Sequence, residues 1–421
     1  MTGQSDECEA AAASGPRETP SQVARKTFRW DLLRGSMQGF VEACMVTFVL
    51  LVAIRVFNAP DMLKAILPGS YSLGLMISPL TIVIAARWGG SAGTFCAIFS
   101  LLSGLGMIGA LLARELPAYL ISIVLVGVFA AMMAPLLTKI YASNYSEQER
   151  GSRFSTMVLL SAVVGAGFSY LGGLLLDLDI GYFRYLYLVA AIALFINIIA
   201  FSKIPTVSIR PDKHTGTAQV FKRAFQNRVF CMVLIAWMFQ GFGQVMTVPI
   251  RIEYLANVRY GIDATNEQIG LIVGVVPFAA YLLTAKIWGY CYDHWNFIVL
   301  RVTINMIAIA SIATVFFTSS LWIIAIGMGL YGISISGGRI LWTLWVVEMA
   351  PPEEVPTYMG IHSFFTGIRG IVAPFVAYSL VGLSDPRMVG WIATVIIAIG
   401  ICIMVPYRSR FRRRLGVENV G

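Results

Sequence analysis

Three ionised side chains stand inside otherwise apolar sequence: Glu42 in GFVEACMVTFVLLVAI, Arg339 in ISGGRILW and Arg369 in TGIRGIVA. If those runs cross a bilayer, each charge near its centre costs about 2.5–3.5 kcal/mol on insertion scales, so none belongs on a lipid-facing surface. Two guanidiniums against one carboxylate leave a single positive charge, and a guanidinium grips a carboxylate or phosphate through two parallel hydrogen bonds without ever deprotonating. One reading is an internal ion pair that holds the molecule in one state; the other is a substrate site for an anion, centred on Arg339 and Arg369. The two are compatible if substrate competes with Glu42 for an arginine. Glu42 is also the candidate proton carrier, since burial raises a carboxyl pKa while a nearby arginine lowers it. Gln38 and Gln240, uncharged and at matched depth in the first and seventh spans, and Trp342, beside Arg339, complete the candidate substrate site. Other aromatic residues on the same spans are read as core and interfacial belt. His362 is read as a capping or interface residue.

These residues need elements long enough to carry them to mid-bilayer, and the composition supplies them. Of 421 residues, 57% are hydrophobic and 13% charged, with a mean hydropathy of +0.76. Soluble domains carry about 25% charged residues, so the chain is an all-α, polytopic membrane protein. A bilayer core needs about 20 apolar residues per helix. Twelve such runs occur, near 33–55, 66–86, 92–113, 117–139, 154–176, 183–202, 229–252, 268–288, 296–318, 321–347, 358–382 and 388–406. Glu42 lies nine residues past Leu33, about 14 Å along a helix, and Arg369 lies as deep in its own run. On this reading no other charge is deep in a span. Six Cys, most of them inside apolar runs, and three His give no metal-ligand spacing, and no cofactor or metal is expected.

Residues 1–27 are expected to form a disordered tail and 203–228 a polar linker. They delimit a six-helix bundle at 28–202 and another at 229–407, followed by a basic tail at 408–421. With the N-terminus inside, the inner segments hold 22 Lys and Arg, Arg301 among them, and the outer loops 7, Lys64 and Arg251 among them, which places both termini and the linker in the cytoplasm. The net charge of +9 is thus a topology signal and a weak attraction to anionic lipid, and nucleic acid is not a partner. The halves also repeat. Gln38-Gly39 answers Gln240-Gly241, Pro79 answers Pro277, and Gly165 answers Gly370, at offsets of 198 to 205. Parallel six-helix repeats are a transporter architecture.

In these features the chain resembles the major facilitator superfamily over about residues 28–407. That family's loop signature, G-x-x-x-D followed by basic residues, is recognisable as Gly289-Tyr290-Cys291-Tyr292-Asp293 after the eighth span. His294, Trp295 and Asn296 follow where Arg or Lys is usual, and the first copy, Ala86-Arg87-Trp88-Gly89-Gly90-Ser91, lacks the Asp. The resemblance implies two pseudo-symmetric six-helix bundles that rock about a central site. Spans 1, 4, 7 and 10, with 2, 5, 8 and 11, would line the cavity, and Gly289 and Asp293 would serve a cytoplasmic gating loop.

The function expected is secondary transport of a small solute, an organic anion, driven by proton symport or exchange. The protein would act as a monomer in the cytoplasmic membrane. Export of amphipathic or hydrophobic compounds is an alternative suggested by the aromatic and Met-rich spans; a non-transporting sensor or scaffold is another, from a different class. No nucleophile elbow, HExxH or phosphate loop supports an enzyme.

Overall fold

The computed structural model describes residues 19–206, 217–346, 349–350 and 354–410. Twelve long helices dominate these residues. We number them α1 (Pro20–Arg55), α2 (Ile66–Ile77 continued by Pro79–Arg87), α3 (Ala92–Leu112), α4 (Leu116–Asn144), α5 (Glu147–Leu178) and α6 (Phe183–Lys203). The second half holds α7 (Arg228–Ala256), α8 (Asn266–His294), α9 (Phe297–Phe316), α10 (Leu321–Leu344), α11 (Val355–Leu383) and α12 (Pro386–Met404). Eleven are each long and apolar enough to span a bilayer. The twelfth, α2, is interrupted at Ser78, ahead of Pro79.

Helix starts follow their capping residues. Thr19 closes a capping box with Gln22 ahead of Pro20, and Ser91, Asn227, Asn296 and Asp385 each accept backbone N–H bonds at the start of α3, α7, α9 and α12. The first of these caps corrects the expected tail: Pro20 to Thr27 belong to α1. Residues 1–18, most of the linker's middle and 411–421 lie outside the described residues, and Thr217–Gln226 within the linker is helical.

Within each half, α1 packs on α5 and α3 on α6, as α7 packs on α12 and α8 on α10. The halves meet through α2 against α11 and α5 against α8. Small residues permit that approach. Gly367 and Gly370 lie against Ser72 and Met76 of α2, and Gly270 and Gly274 lie against Ser169 of α5, where any Cβ would collide. One π-helical turn interrupts α1 at Cys44–Phe48, just after Glu42, and another interrupts α8 at Gly270–Val275, just before Pro277. Such turns displace the helix face locally and recur at functional sites.

Twelve crossings put both ends of the helical region on one face. On the opposite face, which the expected topology makes the outer one, a charged network ties the halves together. Lys64 donates to both carboxylate oxygens of Glu253 at 2.7 Å and pairs with Asp61 at 2.8 Å, while Arg259 reaches Asp61 at 3.3 Å. Arg55 donates to Asn266 and to the Ala264 carbonyl, and the Asp177 carboxylate accepts from the backbone N–H groups of Asn266 and Glu267 that open α8. The molecule is therefore shut at its outer end, and Tyr71, Phe239, Phe364 and Arg339 are exposed farther toward the terminus-bearing face.

Candidate functional site

Glu42 and Arg339 come together across the two halves. Glu42, half-buried on α1, accepts from the Ser161 hydroxyl of α5 at 3.3 Å. Arg339, on α10, has Glu42 and Tyr71 within Coulomb reach, hydrogen-bonds with Tyr281 of α8 and lies 5.7 Å from that ring's centroid. Although protein surrounds most of it, Arg339 is exposed, the condition of a side chain that opens into a cavity. Gln38, half-buried, lies one helical turn before Glu42 and so shares its side of α1.

Arg369 sits elsewhere. Its guanidinium lies flat across α7 at Gly241, where a Cβ would occupy the same space, and Nη1 donates to the Trp237 carbonyl at 3.0 Å. Among the described residues Nε finds no acceptor and no carboxylate neighbours the group. Close by, Arg301 of α9 is buried with its guanidinium 3.9 Å over the Trp237 ring, donating to Gln240 at 2.8 Å. His362 completes this interior, fully buried among Trp237, Trp342 and Trp345, with neither ring nitrogen hydrogen-bonded among the described residues. An indole face attracts a guanidinium but is neutral, so this part of the second half keeps two positive charges.

The sequence-derived residues thus divide. Glu42, Arg339 and Gln38 gather on the gap between the halves, and Arg369 lies half-buried within the second half. Gln240 does not face the gap. It is fully buried, beside Gly400 and Met404 of α12, and holds Arg301 in place. Trp342 is half-buried against His362, 5.4 Å between ring centroids. Gly289 and Asp293, expected in a loop, belong to the last turns of α8, with Asp293 exposed and in no ion pair among the described residues. His362, expected as a cap or interface residue, is core.

Sequence reasoning also missed charges. Arg301 counted as a loop residue and helix 9 as charge-free, whereas it is 4% exposed inside α9. Arg251 and Lys64 counted as outer-loop charges, and both are buried. Asp31 and Arg34, paired at 2.6 Å and joined by Tyr141, are buried at the inner end of α1; their i,i+3 spacing was the available signal. The other missed residues lie near span ends, where hydropathy does not separate helix from loop.

The family model described as Major Facilitator Superfamily matches twice, over residues 35–263 and 254–418. Among solved structures, a mutant form of the nucleoside transporter NupG superposes with a TM-score of 0.73 at 13% identity, covering 91% of this chain and 99% of that one. A POT family transporter in complex with 5-aminolevulinic acid gives 0.73 at 12% identity, covering 92% and 96%. A D-xylose-proton symporter gives 0.64 at 16%, covering 93% and 99%. At these identities the likeness establishes the fold. No curated protein sequence matches the chain.

Proposed function

The chain belongs to the Major Facilitator Superfamily, and on that premise we propose that it is a secondary transporter of a small organic anion, working by alternating access with proton symport or exchange. The observation that carries this reading is Arg369, half-buried against α7 and next to a second, fully buried guanidinium, Arg301, with no carboxylate beside either among the described residues. Buried charges are held by partners of opposite sign or by metals, and a carboxylate or phosphate on the solute is the partner suited to a planar fork. Arg301 then serves as a positioning residue behind Trp237, while Arg339 meets the solute in the gap.

Glu42 supplies the coupling step. A solute acid group that takes Arg339 draws that cation from beside Glu42 and so links solute binding to this carboxylate, the proposed proton carrier. The name of the D-xylose-proton symporter and the acid bound to the POT family transporter are compatible with such a cycle. The excess of Lys and Arg in the inner segments supports a cytoplasmic location for the termini, and hence for the open end. The conformation is then inward-facing, and the protein works as a monomer in lipid.

A thermal-shift screen of the purified protein against anions, cations and neutral sugars tests this reading, because a ligand selective for the native state raises its melting temperature. We expect stabilisation by anions that is lost in Arg369→Gln. Stabilisation by neutral or cationic compounds alone, unchanged in Arg369→Gln, would leave the arginines structural and favour export of amphipathic compounds.

A further inference from the structure

We propose that Arg251, laid over Tyr331, is a second anion-binding position and that the transported solute therefore carries two acidic groups. This inference rests on the anion reading above and extends it along α7 toward the shut end of the molecule. Arg251 projects from the last third of α7 and is 3% exposed. Its guanidinium lies 3.8 Å over the centroid of the Tyr331 ring on α10. Nη2 donates to Thr247 Oγ1 at 3.3 Å, while Nε and Nη1 are buried with no acceptor among the described residues.

Two other cations buried to a similar degree make the contrast. Arg34 has Asp31 at 2.6 Å, and Lys64 has Glu253 at 2.7 Å. Arg251 forms no ion pair among the described residues; an aromatic face and one hydroxyl stand in for a carboxylate. A guanidinium has two forks, Nε with Nη2 and Nη1 with Nη2; because Nη2 gives only one of its two hydrogens to Thr247, one fork stays unused, and a carboxylate or phosphate completes it bidentately.

Depth along the helices sets the spacing. The Arg251 head is level with Thr247, six residues past Gly241, where the Arg369 head lies, which is roughly 9 Å along α7 at 1.5 Å per residue. Tyr331 stands eight residues before Arg339 on α10, roughly 12 Å. Cations thus occupy two levels, Arg369 and Arg339 nearer the open end and Arg251 at the shut end. A dianion whose acidic groups are separated by several methylene lengths bridges these levels; a monoanion engages one.

The test uses the full chain in detergent and a matched ligand series: valerate and hexanoate as monoanions, glutarate and adipate as dianions. Melting shifts are measured for wild type, Arg251→Gln, Arg251→Lys, Tyr331→Leu and Arg369→Gln, each against its own ligand-free baseline. We expect the dianions to shift wild type more than the monoanions. Arg251→Gln should weaken dianion binding about tenfold, the scale of one lost bidentate contact, and bring it to the monoanion level while sparing the monoanion shift. Arg251→Lys should recover only part. Equal dianion shifts in wild type and Arg251→Gln would overturn the second position and leave the anion reading standing. No shift of wild type by any of the four, or by the anions of the wider screen, would overturn both. If Arg251→Gln fails to fold, Tyr331→Leu and Arg251→Lys decide: dianion shifts equal to wild type in both would overturn the proposal.

Discussion

Gly241 determines where Arg369 can lie. Because its missing side chain is the space the guanidinium fills, Gly241→Ala should push Arg369 off α7 and break its bond to the Trp237 carbonyl. Charge-assisted hydrogen bonds contribute about 1.5–3 kcal/mol, so anion affinity should fall roughly 10- to 150-fold with little loss of folded protein, as titration by melting shift would reveal. Arg369→Lys should also weaken binding although the charge is kept, since an ammonium has no fork. Affinity equal to wild type in both variants would remove Arg369 from the site. At this scale the sequence was legible only in part. Glu42, Arg339 and Arg369 stood out because each interrupts a long apolar run. Arg301, Arg251 and Lys64 did not, because near a span end a charge that snorkels to water and a charge that turns inward have the same sequence context. Gln240 matched Gln38 in register, yet it faces α9 and α12, and repeat register alone does not report which way a side chain turns.

Between elements, the outer latch decides which face is open. Lys64 and Glu253 are both buried, and removing one partner of such a pair typically costs about 3–5 kcal/mol because the other charge is stranded. Glu253→Gln should therefore destabilise the outer-closed arrangement. A cysteine placed at Leu67, 3% exposed on α2, should then become more reactive to a polar thiol reagent added from outside; unchanged protection would mean that the glycine-lined helix contacts alone hold the seal. Asp61 adds a pH dependence. Burial raises its pKa, but Lys64 and Arg259 outweigh that and hold the carboxyl below the ordinary aspartate value. A depressed native pKa means that the stabilisation is fully present above the ordinary value, about 3.9, and is lost as pH falls through the native value. Closure should accordingly hold at neutral pH and weaken only below about pH 4, as the same cysteine would report. The twelve helices were legible from hydropathy and length. The latch was not, because it joins residues 189 apart in sequence, one between α1 and α2 and the other at the end of α7, where composition looks like solvated charge.

At the scale of the whole molecule, two six-helix halves meet at the outer end and part toward the face that bears the termini. The repeat of Gly39 with Gly165 in one half, and of Gly241 with Arg369 beside Gly370 in the other, shows one framework used twice, for close packing in the first half and to seat a guanidinium in the second. Under the proposed function, that asymmetry matches anion capture in the second half and proton exchange, through Glu42, in the first. Reporter fusions after Arg210 and at the C-terminus should both read cytoplasmic; an external signal at either would invert the assignment of the open face. The central claim is that the arginines of the second half carry an anion across the bilayer. Counterflow in proteoliposomes tests it most directly: vesicles loaded with the most stabilising anion of the screen are diluted into trace labelled anion, with wild type and Arg369→Lys compared at equal incorporation. Wild type should give a transient overshoot of label and Arg369→Lys a much smaller one. No overshoot in wild type, or the same overshoot in both proteins, would contradict the account.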